Sequence, residues 1–207
     1  MNDEKHVPVD ADDAKAALFH RLRGDPWIQT YSGRCFDLSI PDATMVVVED
    51  VAHSLAHTCR YTGHSKRFYS VAEHCCHVSD LLLHDYGGER MGFLGLMHEG
   101  EEPYVGDMSS PLKSMCEDYR IIGRYIWERA VAPAFGLPMV MPPEVKKADL
   151  EALATEAPQV MRVWPPPRPW NLPVEAGRRN LFKVQFWRPA RAEAEFFARF
   201  KRLRDAA

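Results

Sequence analysis

SVAEHCCHVSDLLLHDYGGERMGFLGLMHEGEEP, residues Ser70 to Pro103, reads as two helices joined by a glycine turn. Ser70 is an N-cap, and Glu73 three residues on completes a capping box. Val71, His74, Val78, Leu81 and Leu82 then recur on one face through Leu83. Gly87-Gly88 ends the first helix. The second begins near Glu89, carries the apolar residues Met91, Phe93, Leu94, Leu96 and Met97, and stops near Pro103. Helices joined by so short a turn pack antiparallel, so His74 faces the end of the second helix. That end is unusual. His98, Glu99, Glu101, Glu102 and Asp107 fall within ten residues of one another, directly behind an apolar segment. Ionisable groups placed there need solvent or a metal ion beside them.

Helical periodicity continues on both sides of this pair. Upstream, Ala14–Arg23 has helical spacing, and Asp50 is placed to cap a helix that runs to about Cys59. Between them, residues 27–48 are partly extended: Trp27–Tyr31 and Cys35–Leu38 flank the Ser32-Gly33 turn as a short β-ribbon. Downstream, Pro111 is a good first residue for a long helix to about Ala134, burying Ile121, Ile122, Tyr125, Ile126 and Trp127. Pro143 opens another helix through Met161, WPPPRPWN (164–171) is a stiff connector, and the final helix covers about 189–204. Residues 1–13 are polar and frayed. The expected fold is all-α and single-domain, with its motifs in 49–161 and a short ribbon near the N-terminus.

Bulk properties narrow the function. The chain has 207 residues, 46% of them hydrophobic and 27% charged, an ordinary globular mix. A net charge of -3 offers no general attraction for nucleic acid. No apolar run is long enough to span a membrane, and MNDEKHVPVDADD is too polar for a signal peptide. Five cysteines without finger spacing read as reduced thiols, and the expected location is cytoplasmic. Seven of the nine histidines lie between His53 and His98, the one compositional oddity.

On spacing alone, His98 and Glu102 share a helix face, Glu99 sits one step around, His74 faces them, and Asp149 can join from a later helix. Imidazole with carboxylate suits zinc, manganese, iron or cobalt, and leaves positions for water and a phosphate oxygen. A solvated helix end with no metal fits the same spacing. Cys75 and Cys76 have no activating base within evident reach. His77 reads as a buried polar residue, and His53 and His57, four apart but without neighbouring carboxylates in sequence, read as structural.

Several ordered motifs carry a resemblance: EDVAHSLAHTCRYTGHSKRFYSVAEH (Glu49–His74), HEGEEPYVGD (His98–Asp107), PLK (Pro111–Lys113) and VKKADLEALATEA (Val145–Ala157). Over roughly residues 30–160 the chain resembles the HD-domain phosphohydrolase superfamily. It is closest to the branch similar to bacterial 5'-deoxynucleotidases and phage deoxynucleoside triphosphate hydrolases. The resemblance implies an HD-type helical bundle with metal ligands at His74, His98, Glu99 and Asp149. Glu102 and Asp107 would handle the protons of the attacking water and the leaving group. Arg60 would hold substrate phosphate, with Tyr61 against sugar or base and Lys113 as a further phosphate contact. His64, with Lys66 and Arg67, would either touch a longer polyphosphate or solvate a loop. Surface ion pairs for Arg60 and Lys113, and a core role for Tyr61, remain open alternatives.

One residue departs from the pattern. The family's doublet is His-Asp, and here it is His98-Glu99, one methylene longer. The expected activity is metal-dependent hydrolysis of a deoxynucleotide, a triphosphate or a monophosphate. The expected cofactor is cobalt, manganese, zinc or iron, with magnesium accompanying a triphosphate. The alternatives are a nucleotide-binding module of the same fold that has lost catalysis through Glu99, and a helical interaction protein whose polar cluster is incidental. Glu101, without a family counterpart, reads as surface. An apolar final helix suggests a homo-oligomer, or else closes the core.

Overall fold

The computed structural model describes residues 25–86, 88–170 and 181–204; the helix expected at 14–23 and the frayed segment 1–13 lie outside them. The described chain is mostly helical, with one short antiparallel sheet, β1 (Trp27–Gln29) and β2 (Cys35–Asp37), pairing Ile28 with Phe36. The helices are α1 (Val48–His57), α2 (Val71–Asp85), α3 (Glu89–Met97), α4 (Glu102–Val105), α5 (Ser110–Lys113), α6 (Glu117–Ile126), α7 (Ala132–Phe135), α8 (Pro143–Val160) and α9 (Pro189–Arg204). The all-α expectation and the N-terminal ribbon both hold. Among the described residues, no helix is long and apolar enough to cross a membrane.

The antiparallel pair α2–α3 is the centre of the bundle. Its two helices approach closely because Gly92 and Gly95 face α2. A Cβ on Gly95 would sit 2.7 Å from Leu82 Cδ1 and 3.0 Å from Ser79 Cα. Buried Ser79 completes the seam by donating its hydroxyl to the Gly92 carbonyl at 2.7 Å. α1 and α9 pack on this pair from one side, and α8 packs on α2. Phe196, Phe200 and Leu203 of α9 are buried with Phe93, so the apolar face that suggested an assembly is used within the chain. The Asp50 carboxylate does not cap α1. It sits inside the helix and accepts from Ser32 N at 2.6 Å and Ser32 Oγ at 2.8 Å, tying the ribbon turn to the bundle.

Three local expectations are corrected. The helix after Glu89 ends at Met97, not near Pro103, and His98 is its C-cap. The helix expected from Pro111 to Ala134 is broken. Ser114 turns its hydroxyl onto the Pro111 carbonyl at 2.7 Å, competing with the backbone ladder. A π-helical turn at Trp127–Val131 then precedes Pro133, which lacks the donor an α-helix requires. The capping box is half formed: Ser70 Oγ accepts from Glu73 N at 3.1 Å. The Glu73 carboxylate instead accepts the backbone N–H groups of Gln185, Phe186 and Trp187 at 2.7, 3.0 and 2.7 Å. This clamp fixes the segment that leads into α9.

Candidate metal centre

The Ser70 cap starts α2 so that His74 falls on its buried face, with none of its surface exposed. Its Nδ1–H donates to Glu156 Oε1 at 2.7 Å. This bond fixes the tautomer and turns Nε2, with its lone pair, the other way. There it lies 3.2 Å from Asp149 Oδ1 without making a hydrogen bond. His98 is prepared in the same manner. The end of α3 lets its Nδ1–H donate to the Gly95 carbonyl at 2.8 Å, leaving Nε2 3.4 Å from Glu99 Oε1. The two imidazole rings are 5.2 Å apart.

Both Nε2 atoms are buried and lack a hydrogen-bond partner. A buried polar atom left so carries a cost that a bound cation removes. One donor atom from each of His74, His98, Glu99 and Asp149 lies within 4.8 Å of the others. Two oriented imidazoles and two carboxylates form a first-row transition-metal ligand set. These four residues can hold a metal ion, and they are the four picked out from the sequence.

Charges around the quartet are arranged for a cation. Burial would raise the Asp149 carboxyl, but the close His74 ring, then His98, and Lys146, whose ammonium donates to Oδ2 at 2.6 Å, hold it well below the usual carboxylate range. Burial also opposes the ionised form of Glu99, and His98, Lys113 and His74 bring it down. Glu102 shows the reverse. Burial first, and then the charge of Glu99, push it well above the ordinary value. Burial likewise raises Asp107, with Arg60 opposing. Lys113 lies 3.7 Å from Glu102 Oε1; the surrounding carboxylates raise its pKa although burial works against its charge. Glu102 Oε2 has no partner. Because the helix ends at Met97, Glu102 reaches this neighbourhood from the separate helix α4 rather than from the same face as His98.

Arg60 is buried beside the cluster, with Nη2 3.6 Å from Glu156 Oε2 and Nε unpartnered. Tyr61, in a left-handed backbone conformation at φ 58°, donates its hydroxyl to the same oxygen at 3.1 Å. His64 is exposed on the turn that follows. The side chains of Lys66 and Arg67 lie over the Phe186 ring instead of turning toward the quartet. Glu101, expected at the surface, is half-buried. One of its oxygens is buried and unpartnered, and burial together with Glu99 pushes its pKa up to about 8. His77 is buried and stacks on Phe182, as a structural residue would.

Sequence reasoning gave Glu156 no role, yet it joins His74, Tyr61 and Arg60. Its signal was present: Glu156 lies seven residues after Asp149, two turns along the same helical face. Trp170, whose ring is 6.2 Å from Tyr61, was also missed, because no local pattern links the proline-rich segment to the Arg60 loop.

No protein-family model matches the chain. It is 38% identical over 130 residues to the Escherichia coli K12 protein called "Uncharacterized protein YfdR", covering 63% of this chain and 70% of that one. It is 36% identical over 132 residues to "Uncharacterized protein RCAP_rcc00048" of Rhodobacter capsulatus, covering 59% of this chain and 64% of the relative, a little under two thirds. Neither name carries an activity. With more than a third of positions identical across most of the Escherichia coli protein, the chain belongs to the YfdR family.

Proposed function

We propose that this protein is a metal-dependent phosphohydrolase of the HD type that removes phosphate or triphosphate from a deoxynucleotide. One observation carries the reading: the unpartnered Nε2 atoms of His74 and His98 converge with Glu99 and Asp149, beside buried Arg60 and half-buried Lys113. A ligand set with two open imidazole lone pairs suits zinc, manganese, iron or cobalt. When bound, such an ion supplies Lewis acidity and makes a water acidic enough to attack near neutral pH.

The chain's own residues supply the remaining requirements. Phosphoryl transfer depends mainly on positioning and charge neutralisation. The Arg60 guanidinium offers its unpartnered Nε and a planar fork for phosphate oxygens, and Lys113 adds a second cation across the cluster. Glu102, raised in pKa and with Oε2 unpartnered, is suited to take the proton of the attacking water. Asp107, raised in the same field, protonates the leaving oxygen. Tyr61, held by Glu156, packs against sugar or base, with Trp170 nearby. Lys66 and Arg67 lie over the Phe186 ring, and the reading covers monophosphate and triphosphate alike.

A second reading, a nucleotide-binding module without turnover, rests on Glu99 standing where the resembled family has aspartate. The test separates the two. Protein purified without added metal is assayed for metal content, then incubated with deoxy- and ribonucleotides at each phosphorylation level in Mn²⁺, Co²⁺ or Zn²⁺, with products resolved by chromatography. The expected result is metal-dependent release of deoxynucleoside, abolished by chelation. Nucleotide binding without release supports the binding module instead. Absence of both binding and release overturns the proposal.

A further inference from the structure

A second group of metal-ligating side chains lies away from the His74 cluster, on the face where α1 packs against α9. His53 and His57 are one turn apart on α1, and their rings stack with centroids 4.1 Å apart. Glu193, near the start of α9, places Oε2 3.2 Å from His53 Nδ1. The three residues bring their donor atoms within 4.8 Å of one another. The carboxylate absent from the local sequence therefore arrives from 140 residues away.

We infer that His53, His57 and Glu193 form a second binding site for a divalent transition-metal ion, with zinc as the natural occupant. Three features carry this. First, the spacing is right: donors on a tetrahedral zinc with bonds near 2.1 Å are about 3.4 Å apart, close to the 3.2 Å between His53 Nδ1 and Glu193 Oε2. Second, the ligands are oriented. His57 Nδ1–H donates to the His53 carbonyl at 2.8 Å, which leaves Nε2 with the free lone pair, the arrangement ligating histidines usually show. Tyr31 lies flat on the His53 ring, 3.6 Å between centroids and 8° between planes, and restrains its rotation. Third, the site is reachable. His53 and Glu193 keep 26% and 33% of their side-chain surface, and His57 is exposed. A cleft of about 470 Å³, lined in part by Thr30, Tyr31 and Asp50, opens beside His53. Three protein ligands leave the fourth position to water. An ion held there ties the first core helix to the last. A simple His53–Glu193 ion pair explains the 3.2 Å contact but leaves the lone pair of His57 Nε2, in the same group of donors, without a role.

The test counts metal on the full chain. Equilibrium dialysis against Zn²⁺, with metal measured by mass spectrometry, is run on wild type and on His57→Ala. His57 is the exposed last residue of α1, where alanine is an excellent helix former, and far-UV circular dichroism verifies that the variant is folded. We expect His57→Ala to bind one equivalent fewer than wild type. Cu²⁺ electron paramagnetic resonance gives a second readout: with both imidazoles of the first centre removed by His74→Ala and His98→Ala, the two-nitrogen splitting of the remaining signal falls to one on His57→Ala. The difference of one equivalent persists even if the His74 centre holds no metal, so the two readings fail separately. Equal zinc stoichiometry in wild type and His57→Ala overturns the inference.

Discussion

Glu156→Gln is the sharpest perturbation of the candidate centre, because it removes one charge and almost no volume from a fully buried position. The carboxylate accepts from His74 Nδ1 at 2.7 Å and from the Tyr61 hydroxyl at 3.1 Å, and it faces Arg60 at 3.6 Å. Burial alone would raise its pKa, yet His74 and Arg60 bring it from 4.5 down to about 2. That displacement corresponds to roughly 3 kcal/mol of preference for the charged form. It agrees with the ~3–5 kcal/mol typical when one partner of a buried ion pair is removed. For a chain of 207 residues, a loss of ~3 kcal/mol lowers Tm by roughly 6–12 °C. The pH dependence has a definite sign. A carboxyl whose folded pKa is depressed contributes its full stability above the unfolded value of 4.5 and loses it as pH falls toward 2. The contribution of this carboxylate to the gap between wild type and Glu156→Gln therefore shrinks as pH falls below about 5. Thermal melts by circular dichroism in chelator, at several pH values, read this directly. Metal affinity, measured separately by titration, falls about 10–100-fold, because His74 loses the partner that sets its tautomer. Equal melting temperatures at pH 7, or a gap that widens as pH falls below about 4.5, would refute the assigned role.

Three further perturbations follow from the same geometry. Glu99→Asp shortens the ligand arm and is expected to weaken metal binding at the His74 centre in calorimetric titration; tighter binding with higher turnover would mark Glu99 as a degraded aspartate. Gly95→Ala places a Cβ 2.7 Å from Leu82 Cδ1 and 3.0 Å from the Ser79 backbone, an overpacking cost of ~1–3 kcal/mol, read as a lower denaturant midpoint; an unchanged midpoint contradicts the close α2–α3 seam. Glu73→Gln leaves at least one of three N–H groups, that of Trp187 buried, facing an amide NH₂, costing ~1–3 kcal/mol. Hydrogen exchange at Gln185–Trp187 is expected to accelerate, and unchanged protection there rules out the clamp.

Elements with a strong local stop and start were legible in the sequence. Ser70 begins α2, Pro143 begins α8 and Pro189 begins α9, each at the expected residue. The metal quartet was legible through ordered motifs, although its members lie up to 75 residues apart (His74 to Asp149). What escaped was of two kinds. Some signals were local but lost to apolar periodicity: Ser114 and Pro133 both disrupt the helix expected at 111–134. Others were long-range choices between equivalent local roles. Glu73 had a plausible local partner at Ser70, and only the fold shows that three N–H groups at 185–187 compete for its carboxylate. Glu101 looked solvated because nothing nearby in sequence covers it, and His53 and His57 looked structural because their carboxylate is Glu193.

The local backbone gives a glutamate its place at position 99. α3 stops at Met97, so His98 and Glu99 project from a turn rather than from a continuing helix. That turn is pressed against the core at Gly100, where a Cβ would meet Val131 Cγ1 at 2.8 Å and the Met97 carbonyl at 2.9 Å. Glu99 brings its carboxylate to 3.4 Å from His98 Nε2 and into one group with Asp149 and His74. Lys113 and the two imidazoles keep that carboxylate ionised despite burial. A residue carried along by decay would not be expected to retain both the reach and the charge of a ligand. Glu99 has both, and this is why we read the His-Glu doublet as a working variation of the metal site.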